Sequence, residues 1–537
     1  MSLNKPEKAM GNIEMTVKDV LIIGGGPAGM AAAISLKNQG ISEVLIIERE
    51  AVLGGILPQC IHDGFGLIRF GKNMTGPEYA DIYERRLLVK GISYLLGAAV
   101  TAIKQTDIKA NSGDNADSQG GFLNKVTIAS AEGTVDYLTK AVILATGCRE
   151  RARGALRIPG TRPAGIYTAG TAQNFINLRN LMPGKRVVIL GSGDIGLIMA
   201  RRLTLEGAEV VAVIEKEKTA GGLPRNVKQC LTDFNIPLIL GATITDIKGV
   251  NRISTVSVCD FLEDGRINEK SERDYPCDTL ILSVGLIPEV ETGLTAGITL
   301  DEKTGEPMTD EVGHTTVNGI FVCGNARYVH DLVDDVSTEA ESLGVTVANY
   351  IKNGCIGLRE SPENDETFKS VNNIKTPETL KSKRTVNRPK SLEPNTMICL
   401  LCPNSCAISY SFPKKLELDE SELEDTKHEA IKFEESELEE TMGKAQITGA
   451  MCGKGVEYVQ REMISPMRTL TSSVSVLGGE KEIVSVRTTS GIPKGLIFEA
   501  MEKVKALKVA APVEIGQIVE KDFMTFGVDL IATSKVL

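Results

Sequence analysis

A glycine pattern that occurs twice limits what this chain can fold into more than any other feature. Residues 19 to 48 run from the apolar stretch Asp19-Val-Leu-Ile-Ile through Gly24, Gly26 and Gly29 into AGMAAAISLKNQG and then VLIIE, ending at Glu48. Residues 186 to 215 repeat the grammar with RVVIL, then Gly191, Gly193 and Gly196, then MARRLTLEG and VVAVIE, ending at Glu215. An unbroken apolar run, a tight glycine turn, a helical stretch and a second apolar run predict a β-α-β unit. The G-x-G-x-x-G spacing permits a sharp turn, close backbone approach to a pyrophosphate and close packing of helix on strand, with the helix N-terminus facing the negative charge. Each acid follows the last glycine of its turn by 19 residues, at a strand end where a carboxylate can hold both ribose hydroxyls. Two such units predict two dinucleotides.

With 537 residues and 42% apolar content the chain can bury several cores, which predicts about three domains. The formal charge of −10 is local: residues 416 to 440 hold 12 acidic and 2 basic residues, and the remainder carries 58 of each sign. This stretch reads as a solvated insertion. Without a basic field, without Trp and with 4% aromatic residues, the composition argues against nucleic-acid binding. The N-terminus carries charges where a signal peptide needs apolar residues, and no run is long enough to span a bilayer, so a cytoplasmic location is expected. Residues 361 to 396 lack apolar periodicity, hold four prolines and read as a linker.

Eleven cysteines in a reducing compartment point to metal ligation before disulfides. Cys399, Cys402 and Cys406 form C-x2-C-x3-C, and Cys452 follows in GAMCGKG. Three thiolates on one loop with a distant fourth suit a 4Fe-4S cluster, whereas structural zinc usually takes two separated C-x-x-C pairs. Zinc stays open as the alternative. Lys454, two residues after Cys452, is expected near the cluster or on the surface. Cys148, Cys230, Cys259, Cys277, Cys323 and Cys355 stand singly and read as packing residues.

The first 355 residues resemble the two-dinucleotide-binding-domain flavoproteins of the pyridine nucleotide-disulfide oxidoreductase superfamily. The resemblance rests on the two glycine units in this order, the strand-end Ala145-Thr146-Gly147, TLILSVGLIP at 279 to 288, and GIFVCGN at 319 to 325. It implies an α/β fold with two Rossmann-like three-layer domains, the FAD domain discontinuous. The implied bounds are 18–155 with 286–358 for FAD, 156–285 for NAD, a linker at 359–396, and a small α+β metal-cluster domain at 397–537. The FAD positions it implies are Gly24, Gly26, Pro27, Ala28, Gly29, Glu48, Arg49, Gly55, Ala145, Thr146, Gly147, Gly324 and Asn325. Those for NAD(H) are Gly191, Gly193, Asp194, Ile195, Gly196, Glu215 and Gly285. Asn325 stands where the family usually has an Asp for the flavin's ribityl chain, and an amide can still bond a hydroxyl. Glu215 would repel a 2'-phosphate and favours NAD over NADP, with Lys216 and Lys218 opposing it.

Disulfide reductases of the superfamily carry two cysteines near the flavin. Here the segment after Gly54-Gly55 offers only Cys60, with His62 two residues on. The cysteine segment also resembles the cluster-binding start of molybdopterin oxidoreductases, including Cys452-Gly-Lys454-Gly and SPMRTL, but only 82 residues follow Gly455, too few for the pterin domains. As a whole the C-terminal module resembles uncharacterised domains met beside anaerobic glycerol-3-phosphate dehydrogenases. The expected function is an FAD-dependent NAD(H) oxidoreductase that trades electrons through the 4Fe-4S cluster with a partner dehydrogenase or other redox protein. Two alternatives stay open, a thiol or peroxide reductase using Cys60 and a flavoprotein with a zinc-stabilised docking domain, as does a homo-oligomer.

Overall fold

The computed structural model describes residues 17–106, 123–353, 395–411 and 446–537. The N-terminal residues 1–16, Cys355, the acidic stretch 416–440 and nearly all of the 359–396 linker lie outside the described residues. The chain divides into two compact units, one of residues 1–150 with 286–383, the other of 151–285 with 384–537.

In the first unit, strand β1 (Val17–Ile23), helix α1 (Pro27–Asn38) and strand β2 (Val44–Ile47) form the expected β-α-β element. β1 lies between β2 and Gly133–Leu144, parallel to both. Ser93–Leu95 extends the sheet beyond β2, and Ile320–Val322 returns the chain beside Gly133–Leu144. That return is the discontinuity expected of the FAD domain. Val20 to Ile22 and Val44 to Ile47 are buried throughout, because helices cover one face and the antiparallel strands Ala98–Thr106 and Leu123–Ser130 continue the sheet around the other core. Alanines at 31, 32 and 33 keep α1 thin enough to lie between the sheet and helix Val333–Lys352.

The second unit opens the same way, with β3 (Arg186–Leu190), α2 (Asp194–Leu205) and β4 (Glu209–Glu215). Its parallel sheet runs Ile166–Thr168, Thr279–Leu282, β3, β4, Leu238–Leu240. The C-terminal residues, read from sequence as a separate domain, belong to this same unit. Their five-stranded sheet, in the order Lys508–Ala510, Thr471–Leu477, Ile483–Thr488, Leu530–Ala532, Ile518–Glu520, packs on helix Ile497–Ala506. Their core takes in Leu205 at the end of α2, and Phe498 meets Phe234 edge-on at 5.8 Å. Arg202 of α2, 5% exposed, reaches the hydroxyls of Ser472 and Ser473 at 3.1 and 3.2 Å. An apolar contact reinforced by a buried guanidinium joins the C-terminal part to α2 within this unit.

The cysteine segment has a small core of its own. Strands Thr396–Ile398, Ala407–Ser411 and Gln446–Thr448 form an antiparallel sheet beside helix α4 (Gly453–Ile464), preceded in the nucleotide part by helix α3 (Pro224–Cys230). Cys399, Ile408, Tyr458 and Val459 are its buried residues. So few apolar residues fit a piece that depends on a staple. Among the described residues no helix is long and apolar enough to cross a membrane.

Candidate functional site

The first glycine turn is built by close approach. Gly24, at φ +107°, sits so near the strand end at 145 that a side chain's Cβ would lie 2.4 Å from the Ala145 carbonyl oxygen. A Cβ on Gly29 would meet the Gly24 oxygen at 1.9 Å, so only glycine lets α1 start directly against the turn. Gly26 is the N-cap of α1, Pro27 follows, and no side chain caps the helix. Its first N–H groups are thus left for an anion, with Ala28 and Gly29 in that opening turn.

Glu48 is 5% exposed and ties the turn to the strand that follows it. One oxygen accepts the Gly25 N–H at 2.7 Å, the other the Glu50 N–H at 2.8 Å. A carboxylate has further lone pairs for ribose hydroxyls. Gly55 lies over the turn, its Cβ position 3.0 Å from the Gly26 Cα. Thr146 donates its hydroxyl to the Glu289 carbonyl, the Glu289 N–H reaches the Gly147 carbonyl at 2.9 Å, and the Glu289 carboxylate pairs with Arg49 at 2.8 Å. The residues 145–147, 49 and 289 therefore form one rim.

The Gly324–Asn325 corner has a polar network that sequence reading did not find. Gly324 donates its N–H to Glu339 at 2.9 Å, and Glu339 also holds Arg327 at 2.8 Å and His330 at 3.2 Å. Burial works against the charge of Glu339, but His330 and Arg327 outweigh it and hold its carboxyl below the usual range. Asn325 accepts the His330 N–H at 3.0 Å. With Glu339 already on the neighbouring Gly324, a neutral amide here avoids placing a second carboxylate beside the first.

The second turn repeats this frame. Gly191, at φ +97°, is pressed against Ser283, and Gly193 is the N-cap of α2, again without a side-chain cap. Glu215 accepts the Ser192 N–H and the Glu217 N–H, both at 2.9 Å. Asp194, Ile195 and Gly196 form the first turn of α2, while Gly285, at φ +99°, accepts the Arg151 N–H at 3.2 Å. A second element, Gly221-Gly222-Leu223-Pro224, closes on this turn. Gly221 donates to the Ser192 hydroxyl at 2.7 Å, and Leu223 and the Asn226 amide donate to Asp194 at 2.7 and 2.8 Å. This segment echoes Gly54-Gly55-Ile-Leu-Pro58, a repeat visible in the sequence and missed in reading it.

Cys60 is half-buried, its Sγ donates to the Ile56 carbonyl at 3.4 Å, and burial pushes the thiol up to about 12. That direction weighs against a nucleophilic thiolate at this position. His62 bonds the Asp63 carbonyl at 3.0 Å and lies against Phe65. Burial likewise pushes Cys148 up to about 11, while Cys230, Cys259, Cys277 and Cys323 are buried packing residues.

Cys399, Cys402, Cys406 and Cys452 are gathered but not drawn into a formed metal site: among the described residues no three His, Cys, Asp or Glu side chains converge to ligating geometry. The Cys399 N–H donates to the Cys406 carbonyl at 2.9 Å, which closes the loop. Burial pushes the Cys399 thiol up, the Leu401 N–H opposes this, and the other three cysteines add to the rise. Thiols close enough to repel one another as thiolates are a donor set that a cation would draw together. Cys452 is exposed at the N-cap of α4. The donor set fits a soft metal centre. Lys454 is exposed in that first turn.

A buried ion cluster fixes α4. Arg468, 6% exposed and part of the SPMRTL segment, binds Asp233 of the nucleotide part at 2.6 Å and Glu462 of α4 at 2.7 Å. Burial opposes the charges, but their mutual attraction lowers Asp233 and raises Arg468 further.

Comparisons with known proteins agree with this construction. A family model described as pyridine nucleotide-disulphide oxidoreductase matches residues 18–342, and one described as a protein of unknown function (DUF1667) matches residues 453–534. An opine oxidase subunit of Agrobacterium tumefaciens is 26% identical over 57% of this chain and 61% of its own length. Hydrogen cyanide synthase subunit HcnB of Pseudomonas protegens is 26% identical over 52% and 58%. Thioredoxin reductase of Listeria innocua is 30% identical over 58% of this chain and 87% of its own. The chain thus spans about three-fifths of the length of the first two relatives. Among solved structures, T. acidophilum thioredoxin reductase covers 63% of this chain and 99% of its own at 24% identity and a TM-score of 0.49. On the family match over residues 18–342, this chain belongs to the pyridine nucleotide-disulphide oxidoreductase family, whose members are NAD(P)H-dependent flavoprotein oxidoreductases.

Proposed function

We propose that this chain exchanges a hydride between NAD(H) at the second glycine turn and FAD at the first, and relays electrons singly through a 4Fe-4S centre held by Cys399, Cys402, Cys406 and Cys452 to or from a partner redox protein. When bound, a flavin takes two electrons as a hydride and releases them one at a time, and an iron-sulfur centre carries one. The chain's own residues then bind and orient. The helix starts at Gly26 and Gly193 face the pyrophosphates, and Glu48 and Glu215 hold the adenosine riboses. Asn325 offers its amide to the ribityl chain, and the Glu215 carboxylate disfavours a 2'-phosphate, so NAD is the expected nucleotide.

The observation that carries this reading is the placement of the cysteines. In the two dinucleotide folds the described cysteines are single, so neither fold has a redox pair among the described residues. Four others collect on one loop and one helix start. Two relatives, from opine oxidase and hydrogen cyanide synthase, are named as subunits, which supports a partner dehydrogenase; a glycerol-3-phosphate dehydrogenase-like flavoprotein is the class we favour.

The test is anaerobic purification with iron, sulfide and zinc quantitation, then electron paramagnetic resonance after adding NADH. About four irons and four sulfides per chain with a reduced-cluster signal are expected. A Cys402→Ser variant keeps NADH-to-FAD reduction and loses reduction of the partner. One zinc and no iron would replace this reading with a zinc-stabilised docking domain.

A further inference from the structure

Four arginines are buried among the described residues: Arg202, Arg225, Arg327 and Arg468, each 5–6% exposed. Three have carboxylates, Arg202 with Glu206, Arg327 with Glu339, and Arg468 with Asp233 and Glu462. Arg225 has none: among the described residues its guanidinium makes no ion pair, and its Nε is buried without a hydrogen-bond partner. A buried cation without a counter-charge costs several kcal/mol in order of magnitude. A protein that pairs its other three buried arginines leaves one for an anion that is not a side chain of those residues.

Position narrows the anion to one of two. Arg225 is the second residue of α3, between Leu223 and Asn226, both of which bind Asp194 on the nucleotide turn. The Arg225 main chain faces the cysteine loop, its N–H reaching the Ser405 hydroxyl at 3.4 Å. Ser405 is 2% exposed, immediately precedes Cys406, and takes φ +48°, a left-handed conformation a serine adopts at some cost. A four-thiolate centre keeps a net negative charge, because four thiolates exceed the charge of the metal core they hold.

We propose that Arg225 is the resident counter-charge of the four-cysteine centre, an inference that rests on the metal-centre reading above. It belongs to the nucleotide half, so the centre's charge is neutralised by the half that binds NAD(H). Removing the guanidinium makes the added electron less welcome and lowers the midpoint potential of the centre. It is a positioning and tuning group rather than a ligand.

The experiment uses the full-length holoprotein purified anaerobically, with Arg225→Gln, Arg225→Met and Arg225→Lys. Iron per chain, the midpoint potential from a redox titration followed by electron paramagnetic resonance, and the NADH dissociation constant are measured on each. We expect Gln and Met to retain iron and lower the one-electron reduction equilibrium about tenfold, or about 59 mV, Lys to recover most of it, and NADH affinity to stay within about twofold. Met removes the charge without leaving an unpaired polar group, and so covers the case in which Gln does not fold. An unchanged potential at full iron content would overturn the proposal. A tenfold loss of NADH affinity with an unchanged potential would do so too, and assign Arg225 to the nucleotide's phosphates. A wild-type protein without iron would instead overturn the reading on which the proposal stands.

Discussion

The two glycine turns share a hydrogen-bond frame and differ in what the chain does after it. In each, a strand-end glutamate accepts one N–H from the turn and another from two residues beyond itself, Glu48 from Gly25 and Glu50, Glu215 from Ser192 and Glu217. In each, a Gly-Gly segment comes back over the turn, at 54–55 and 221–222. The first continues through Cys60, whose Sγ is held by the Ile56 carbonyl. The second continues into α3, whose start is bonded to the cysteine loop. A duplicated frame can thus keep its ligand-binding half and change its partner through the few residues that follow the second glycine pair.

The largest expected effect tests whether the second unit depends on its added C-terminal part in a way the first does not. Arg468→Ala leaves Asp233 and Glu462 buried without their cation, and we expect a loss of about 3–5 kcal/mol, read as early melting of the 151–285 and 395–537 unit in hydrogen exchange while the flavin unit keeps its protection. Unchanged protection in both would show that the comparison is wrong. Next, the third glycines should not be equivalent. A Cβ at 29 meets the Gly24 oxygen at 1.9 Å, whereas at 196 it meets the Gly191 oxygen at 2.8 Å. Gly29→Ala should cost toward the top of about 1–3 kcal/mol and lose most of the bound flavin, with Gly196→Ala keeping flavin and weakening NADH binding. Equal flavin content in both variants would contradict this.

A smaller effect sharpens the contrast at Gly324. Because Glu339 is held below its ordinary value, its contribution to stability is full above the normal carboxylate range and fades as pH falls through the depressed one. Glu339→Gln should therefore lower the melting temperature at pH 7, by about 1.5 kcal/mol of stability, and the gap to wild type should narrow as pH falls below the ordinary glutamate value, about 4.3. A gap independent of pH would mean that the charge is not what matters. The smallest effect is at Cys60→Ala, where turnover with NADH should stay within about twofold because no thiolate is lost. Abolished turnover would make Cys60 the redox centre.

Much of this was legible in sequence for a physical reason: an apolar run, three glycines and a terminal acid are needed locally, within 30 residues, so Gly24 to Glu48 and Gly191 to Glu215 could be placed without a fold. What escaped depends on charged pairings that no local spacing announces. Glu339 meets Gly324 across a helix start, Arg468 reaches Asp233 across 235 residues, and Arg225 meets Ser405 across 180. Charged residues of this kind look like surface until a partner is seen. The sharing of one unit by residues 151–285 and the C-terminal part escaped for a related reason, since linker composition reports where the chain is polar and not which core it joins next.

The shared core around Leu205 also decides how the protein can be shortened. Cutting at the linker to obtain a minimal two-fold flavoprotein would not release a finished surface. It would leave Leu205 and Phe234 facing water and strip the Ser472 and Ser473 hydroxyls from Arg202. Such a fragment carries an apolar scar beside a half-solvated cation and would aggregate when expressed alone, so the accessory sequence is a structural necessity of the half it joins, whatever metal it holds.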